Sequence, residues 1–300
     1  MPVSPITYSN DITLLKIIKT EQIIKNWQDS FQIDITKELN SQQNIYLYQC
    51  NETKLKFFLP CETIGSDKLY EKLQDFDWYY MPSKWEHKVA LRDLSDCQNI
   101  LEIGSAFGDF VASAMYAGLN IEGIELNQAA VEIAEKKNLP IKHLNLEEAA
   151  NIYQDSLDGV CSFQVLEHVI NPKEFINWSI QMLKTGGKLI CCVPNSESFL
   201  KYQNNLLDMP PHHMLQWSKK SLIALEKIFP IKVEKIIYEP LAEYHVSGYL
   251  NAYSNHFRSV FPLTKLIFNR FTLPLYEKCL HLGLRKFLIG QSIYVQFRKI

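Results

Sequence analysis

From residue 99 to 195, short apolar runs alternate with stretches whose apolar residues return every three or four positions. The runs at 100–103, 121–124, 141–144, 159–163 and 188–193 read as buried strands. The stretches at about 107–117, 128–137 and 172–183 read as helices long enough for right-handed crossovers between parallel strands. Pro194 stops the fifth strand, and 218–229 opens on a Ser cap followed by helical spacing. Runs at 231–238 and 292–298 supply a sixth and a seventh strand.

The flanks carry other patterns. Residues 1–40 read as a strand-poor, helix-leaning lead, with Ile12, Leu15, Ile18, Ile23, Ile24 and Trp27 on one stripe. Runs at 45–50 and 55–60, joined by Asn51-Glu-Thr-Lys54, predict a β-hairpin, and 68–77 predicts a helix. Between His256 and Lys286 the chain holds six Lys or Arg against one acid, Glu277, interleaved with Phe and Leu. A basic amphipathic stretch of this kind, here within 245–291, serves as a lid, a homodimer face or a contact with an anionic membrane surface.

Candidate chemistry gathers where the first parallel strand ends. Asn99-Ile-Leu-Glu-Ile-Gly-Ser-Ala-Phe-Gly108 runs from strand to helix, and Gly104 and Gly108 accept positive φ and let a ligand lie on the main chain. About twenty residues on, Glu125 ends the neighbouring strand, a spacing that brings an acid onto a ribose diol. A dinucleotide site wants a middle glycine, but Ala106 stands there. Glu102 and Asp109 flank the loop and suit a cationic ligand better than a pyrophosphate. S-adenosylmethionine, with a ribose, an ammonium group, a sulphonium and no phosphate, has that character.

On these residues, 99–195 resemble the class I S-adenosylmethionine-dependent methyltransferase family. Gly123-Ile-Glu125 matches the acidic end of its second strand. Leu157-Asp-Gly-Val-Cys-Ser-Phe-Gln-Val-Leu-Glu-His-Val matches its fourth-strand region, and Leu183-Lys-Thr-Gly-Gly-Lys-Leu-Ile-Cys-Cys-Val-Pro-Asn its fifth. Pro-Pro-His-His-Met-Leu-Gln-Trp-Ser at 210–218 resembles a subgroup that accompanies sugar and polysaccharide biosynthesis genes. The resemblance implies an α/β, Rossmann-like seven-stranded, mostly parallel sheet with an antiparallel last strand. A small N-terminal α+β appendage (1–88) precedes the methyltransferase domain (89–300), which carries a helical insertion at about 245–291.

It also implies site residues. Gly104, Ser105 and Gly108 lie along the methionine portion of the cofactor, with Glu102 orienting the loop or receiving the ammonium. Glu125 accepts from the ribose, with Leu126 beside it; Asn145 and Leu146 meet the adenine, and Gln164 faces the methionine side. Trp78, Tyr79, Tyr80 and Trp85, before the first strand, cover the sheet or the mouth of the cleft. Relatives of the subgroup hold zinc on paired Cys-x-x-Cys ligands in the hairpin. Here only Cys50 and Cys61 are present, so no metal site is expected.

For the acceptor, His168, His212 and His213 are general-base candidates because imidazole titrates near neutrality; Tyr244 and His245 are weaker ones. The predicted function is methyl transfer to a small-molecule acceptor, a sugar or glycan precursor by subgroup analogy. The alternatives are a lipid-linked or membrane-borne acceptor and a catalytically silent methyltransferase-fold binding module. A net charge of −2 speaks against nucleic acid, and seven cysteines without a framework predict reduced thiols in a cytoplasmic protein. No apolar run approaches the roughly eighteen residues of a membrane span.

Overall fold

The N-terminal residues build a small sheet, and this corrects the helical lead expected from their spacing. The computed structural model describes residues 1–76, 78–79 and 83–300. The chain begins with β1 (Ile12–Lys19), α1 (Thr20–Phe31), β2 (Asn44–Cys50), β3 (Lys56–Leu59) and α2 (Asp67–Gln74). Ile12, Thr13, Ile17 and Ile18 are β-branched, and pairing with β2 from Ile12 opposite Cys50 to Lys19 opposite Asn44 outweighs the local helical spacing. Ile23 and Trp27 of the same stripe do lie on a helix and are buried. The hairpin forms as predicted, with Tyr46 opposite Leu59, and Phe57 and Phe58 bury against the core while Tyr48 stacks on Phe57 at 5.9 Å.

Next come α3 (Trp85–Asp93), β4 (Ile100–Ile103), α4 (Asp109–Tyr116), β5 (Ile121–Glu125), α5 (Gln128–Lys136) and β6 (Ile141–His143). They are followed by α6 (Leu146–Ile152), β7 (Leu157–Phe163), α7 (Pro172–Met182), β8 (Leu183–Pro194) and β9 (Leu215–Gln216). The chain ends with α8 (Lys219–Ala224), β10 (Ile231–Pro240), α9 (Val246–Val260), α10 (Thr272–His281) and β11 (Ile289–Lys299). Seven strands form one sheet in the order β10-β11-β8-β7-β4-β5-β6. Only β11 runs antiparallel to its neighbours, so the Rossmann-like α/β architecture has the antiparallel last strand that was expected. No helix among the described residues is long and apolar enough to cross a membrane.

The N-terminal unit is tied into the main sheet. A single apolar core runs from Ile6, Trp27 and Phe57 to Leu101, Val193 and Trp217. β9 joins the small sheet beside β3, Phe57 opposite Leu215, and the Gly65 N–H donates to the Pro211 carbonyl at 2.7 Å. These bonds hold the 207–217 loop over the carboxyl ends of β7 and β8. The division drawn at 88/89 falls inside α3, which buries Glu86, His87, Val89 and Ala90 as one element. In the insertion, α9 and α10 pack through Val246, Leu250 and Leu280 on Phe199 and Leu200.

Candidate functional site

β4 and β5 end level, Ile103 beside Ile124. Beyond them Gly104 turns at φ +74°, and the N–H groups of Gly104 and Ser105 both donate to the Ile124 carbonyl, at 2.9 and 3.1 Å. A Cβ on Gly104 would stand 2.6 Å from Val165 Cγ2, so space and φ both require glycine there. The Ser105 hydroxyl donates to the Glu102 carbonyl at 3.2 Å, knotting the turn. The Glu125 carboxylate closes it: Oε2 accepts from the Ala106 N–H at 2.9 Å, and Oε1 accepts from those of Leu126 and Asn127 at 2.8 and 2.9 Å.

A cavity of about 940 Å³ opens over this turn, and Glu102, Gly104, Ser105, Glu125, Leu126, Leu146 and Gln164 all line it. Two expected cofactor residues do not. Gly108, at φ +81°, caps α4 with its Cα facing the protein, where a Cβ would meet Leu139 Cδ1 at 2.5 Å and Ile141 Cδ1 at 2.7 Å; it serves packing. Asn145 caps α6, and its side-chain oxygen accepts from the Glu148 N–H at 2.9 Å while Glu148 reaches back to the Asn145 N–H. That capping box uses one of the two acceptor sites of the Asn145 side-chain oxygen. The short helix α6 itself was not foreseen.

Glu102 is buried, and burial pushes its carboxyl up to about 8, against the opposing pull of Lys84. Its Oε2 meets no partner among the described residues. An ammonium group would supply one, and the turn adds a bare main chain with the Glu125 carboxylate beside it, so these residues fit the donor nucleoside. Gln164 sits at φ +57° and donates to Glu86 Oε1 at 3.2 Å.

Away from the turn, side chains from distant segments supply the remaining walls. Trp78, Tyr79 and Trp85 line the cavity; Tyr80 lies outside the described residues. His168, His212 and His213 meet there, and Tyr70 Oη lies 3.1 Å from His168 Nδ1 while Tyr79 Oη lies 2.8 Å from His212 Nε2. Burial lowers all three imidazoles, His168 to about 4 and the other two well below their usual value. Such rings are neutral at pH 7 and weak as proton acceptors. Tyr244 and His245 reach the same cavity, the latter pushed down to about 4 by burial.

Sequence reasoning missed three acids here. Burial pushes Glu167 up to about 8 and Asp208 up to about 7. Glu86, which lines the cavity, is also buried. Glu167 stood inside a matched motif, next to His168, and that adjacency was a usable signal. Asp208 lies in a loop with no pattern around it, and only the fold brings it 3.4 Å from His213 Nδ1.

A family model described as a methyltransferase domain matches residues 78–228. The mitochondrial ubiquinone biosynthesis O-methyltransferase of Dictyostelium discoideum is 29% identical over 125 residues, which cover 36% of this chain and 39% of that protein. The ubiquinone biosynthesis O-methyltransferase of Dechloromonas aromatica is 22% identical over 169 residues, 50% of this chain and 73% of the relative. A solved S-adenosylmethionine-dependent methyltransferase from Archaeoglobus fulgidus aligns with 71% of this chain and 94% of its own, at 18% identity and a TM-score of 0.46. Neither curated relative is named for a sugar, so the expected sugar subgroup finds no support. With a match over about half of its length, the chain belongs to the methyltransferase-domain family of S-adenosylmethionine-dependent enzymes.

Proposed function

We propose that this chain methylates a hydroxyl group on a small molecule with an apolar body. The observation that carries the reading is the single cavity of about 940 Å³ that joins the glycine turn to the histidine wall. Ligand sites range over roughly 300–1,000 Å³, so this one has room for a donor and an acceptor together. S-adenosylmethionine supplies an electrophilic methyl group on its sulphonium.

In this reading Glu125 accepts from the ribose diol through Oε2, which holds one N–H where Oε1 already holds two. Glu102 receives the ammonium, Gly104 and Ser105 lie along the methionine portion, Leu126 and Leu146 flank the adenine, and Gln164 faces the methionine side. Leu200, Leu207 and Tyr70 give the acceptor apolar walls, and His168, His212 and His213 face its hydroxyl. Holding the oxygen in line with the methyl carbon is the larger part of the task, since good alignment reaches effective molarities of about 10⁵–10⁸ M. The relatives named above are O-methyltransferases, which favours oxygen as the nucleophile.

Calorimetry with S-adenosylhomocysteine, followed by mass spectrometry of phenolic and sugar acceptors, tests the reading. Tight binding and methylated phenols are expected. No affinity for the spent donor would overturn it, and transfer to sugars alone would restore the sugar acceptor.

A second reading, in which the acceptor is reached at an anionic membrane, is favoured by the insertion. Leu263, Leu266, Phe271, Leu282 and Phe287 are each more than 70% exposed, among Lys265, Arg270, Lys278 and Lys286. Sedimentation with anionic vesicles, lost in the variant Leu266→Ser with Phe271→Ser, is its expected outcome; a chain that stays in the supernatant removes it.

A further inference from the structure

Three imidazoles and two carboxyl groups, Glu167 and Asp208, meet on the cavity wall, and hydrogen bonds to carbonyl oxygens fix which nitrogen carries the proton in two of the rings. The rings of His168, His212 and His213 lie 4.4 to 4.8 Å apart, centroid to centroid. His168 Nδ1 is 2.7 Å from the His212 carbonyl oxygen, and His212 Nδ1 is 2.8 Å from that of Leu207. A carbonyl oxygen only accepts, so both Nδ1 atoms donate and both Nε2 atoms keep the electron pair. His213 repeats the arrangement, with Asp208 Oδ1 3.4 Å from its Nδ1. An imidazole anchored through Nδ1–H on a carbonyl or a carboxylate, with Nε2 as the basic atom, is the form in which proteins present histidine to metals.

Glu167 is a second, independent sign. It is 1% exposed, and its Oε1 lies 4.0 Å from both His168 Nε2 and His213 Nε2. Neither of its oxygens has a partner among the described residues. A carboxylate buried in this way is costly unless a cation completes it. The three histidines offer ligand atoms within 4.8 Å of one another. Nitrogens on one tetrahedral ion stand roughly 3.4 Å apart, so the rings need to draw in by about 1 Å.

We propose that His168, His213 and Glu167 bind one divalent transition-metal ion of the zinc type and leave its fourth position open. Imidazole nitrogens with one carboxylate suit zinc or cobalt, whereas magnesium and calcium want oxygen shells. The expected absence of metal rested on the hairpin cysteines Cys50 and Cys61, and neither belongs to this set. The role of the ion rests on the methyltransferase reading. It takes the acceptor oxygen at an open position and lowers the pKa of its hydroxyl; the O–H bond breaks, the electron pair stays on oxygen and the proton passes to water.

The test uses the full chain, stripped with a chelator and titrated with zinc, and with cobalt for its visible absorption. One ion per chain is expected, with ligand-field bands from cobalt. Glu167→Gln and His213→Asn each weaken zinc by about 100-fold or more, while Cys61→Ser binds as the parent does. The same samples are titrated with S-adenosylhomocysteine, whose affinity stays unchanged in both variants and reports that they are folded. A stripped chain that takes up no stoichiometric zinc, or one whose uptake survives both substitutions, overturns the metal site. If that chain still binds S-adenosylhomocysteine, the methyltransferase reading stands without the ion. Zinc uptake without donor binding upholds the metal site and removes the methyltransferase reading.

Discussion

The two halves of the cavity are built in different ways. The centre of the donor half comes from neighbouring stretches of chain, the ends of β4 and β5, and its shape is backbone: Gly104 at φ +74°, two N–H groups on the Ile124 carbonyl, and one carboxylate gathering three more N–H groups. The acceptor half is made of side chains from α2, the end of β7 and the 207–213 loop, held together by the small N-terminal sheet. A backbone cradle tolerates drift in side chains but not in turn geometry. A side-chain wall can change its ligand by single substitutions, provided the loop stays anchored. Cradle variants should therefore disturb folding or donor affinity, and wall variants should disturb turnover alone.

The sharpest way to break that contrast is at Gly108. Valine there would crowd Leu139 and Ile141 and hold a disfavoured φ, for an expected loss of about 2–5 kcal/mol of stability by chemical denaturation. Unchanged stability with lost donor affinity would return Gly108 to the ligand. His213→Ala comes next. Turnover is expected to fall by about 100-fold or more, within the usual range for an acid–base or ligating group, while the donor dissociation constant holds. A parallel loss of donor affinity would merge the two halves into one. Glu125→Ala sits lower, at about 1–3 kcal/mol of donor affinity measured by calorimetry, because it strips acceptors from the Ala106, Leu126 and Asn127 N–H groups as well as from the ribose.

This difference also decides what was legible in the sequence. The strand ends, the glycines and Glu125 lie within 27 residues of one another, so local spacing announced the cradle. A glycine that serves a ligand and one that serves packing look the same in a sequence; at Gly108 the crowding by Leu139 and Ile141 favours packing. Asn145 carries the same ambiguity: a polar residue after a strand is as good a helix cap as a ligand contact, and Glu148 three positions on signals the cap. In the wall, the histidines were visible as residue types. Their neutral state was not, since burial by α2 and by the N-terminal sheet sets it. β1 was lost because its partner, β2, lies some thirty residues away.

The last test turns on the one cradle group whose charge depends on its ligand. Glu102 holds its proton in the folded chain up to about pH 8, whereas an unfolded carboxyl releases it near the usual value of 4.5. Between those limits the folded state binds more protons than the unfolded one, so the parent loses stability as pH rises. The slope can reach about 1.4 kcal/mol per pH unit if the group titrates alone. Glu102→Gln cannot titrate, so its stability relative to the parent should be flat below pH 4.5, climb in its favour up to about pH 8, and level off. Donor affinity of the parent should rise over the same window, because the ammonium of the donor needs the ionised carboxylate, and the variant should lose that rise. A stability difference equal at pH 5 and pH 8 would mean that Glu102 is already ionised in the free protein, and that the cradle is charged before its ligand arrives.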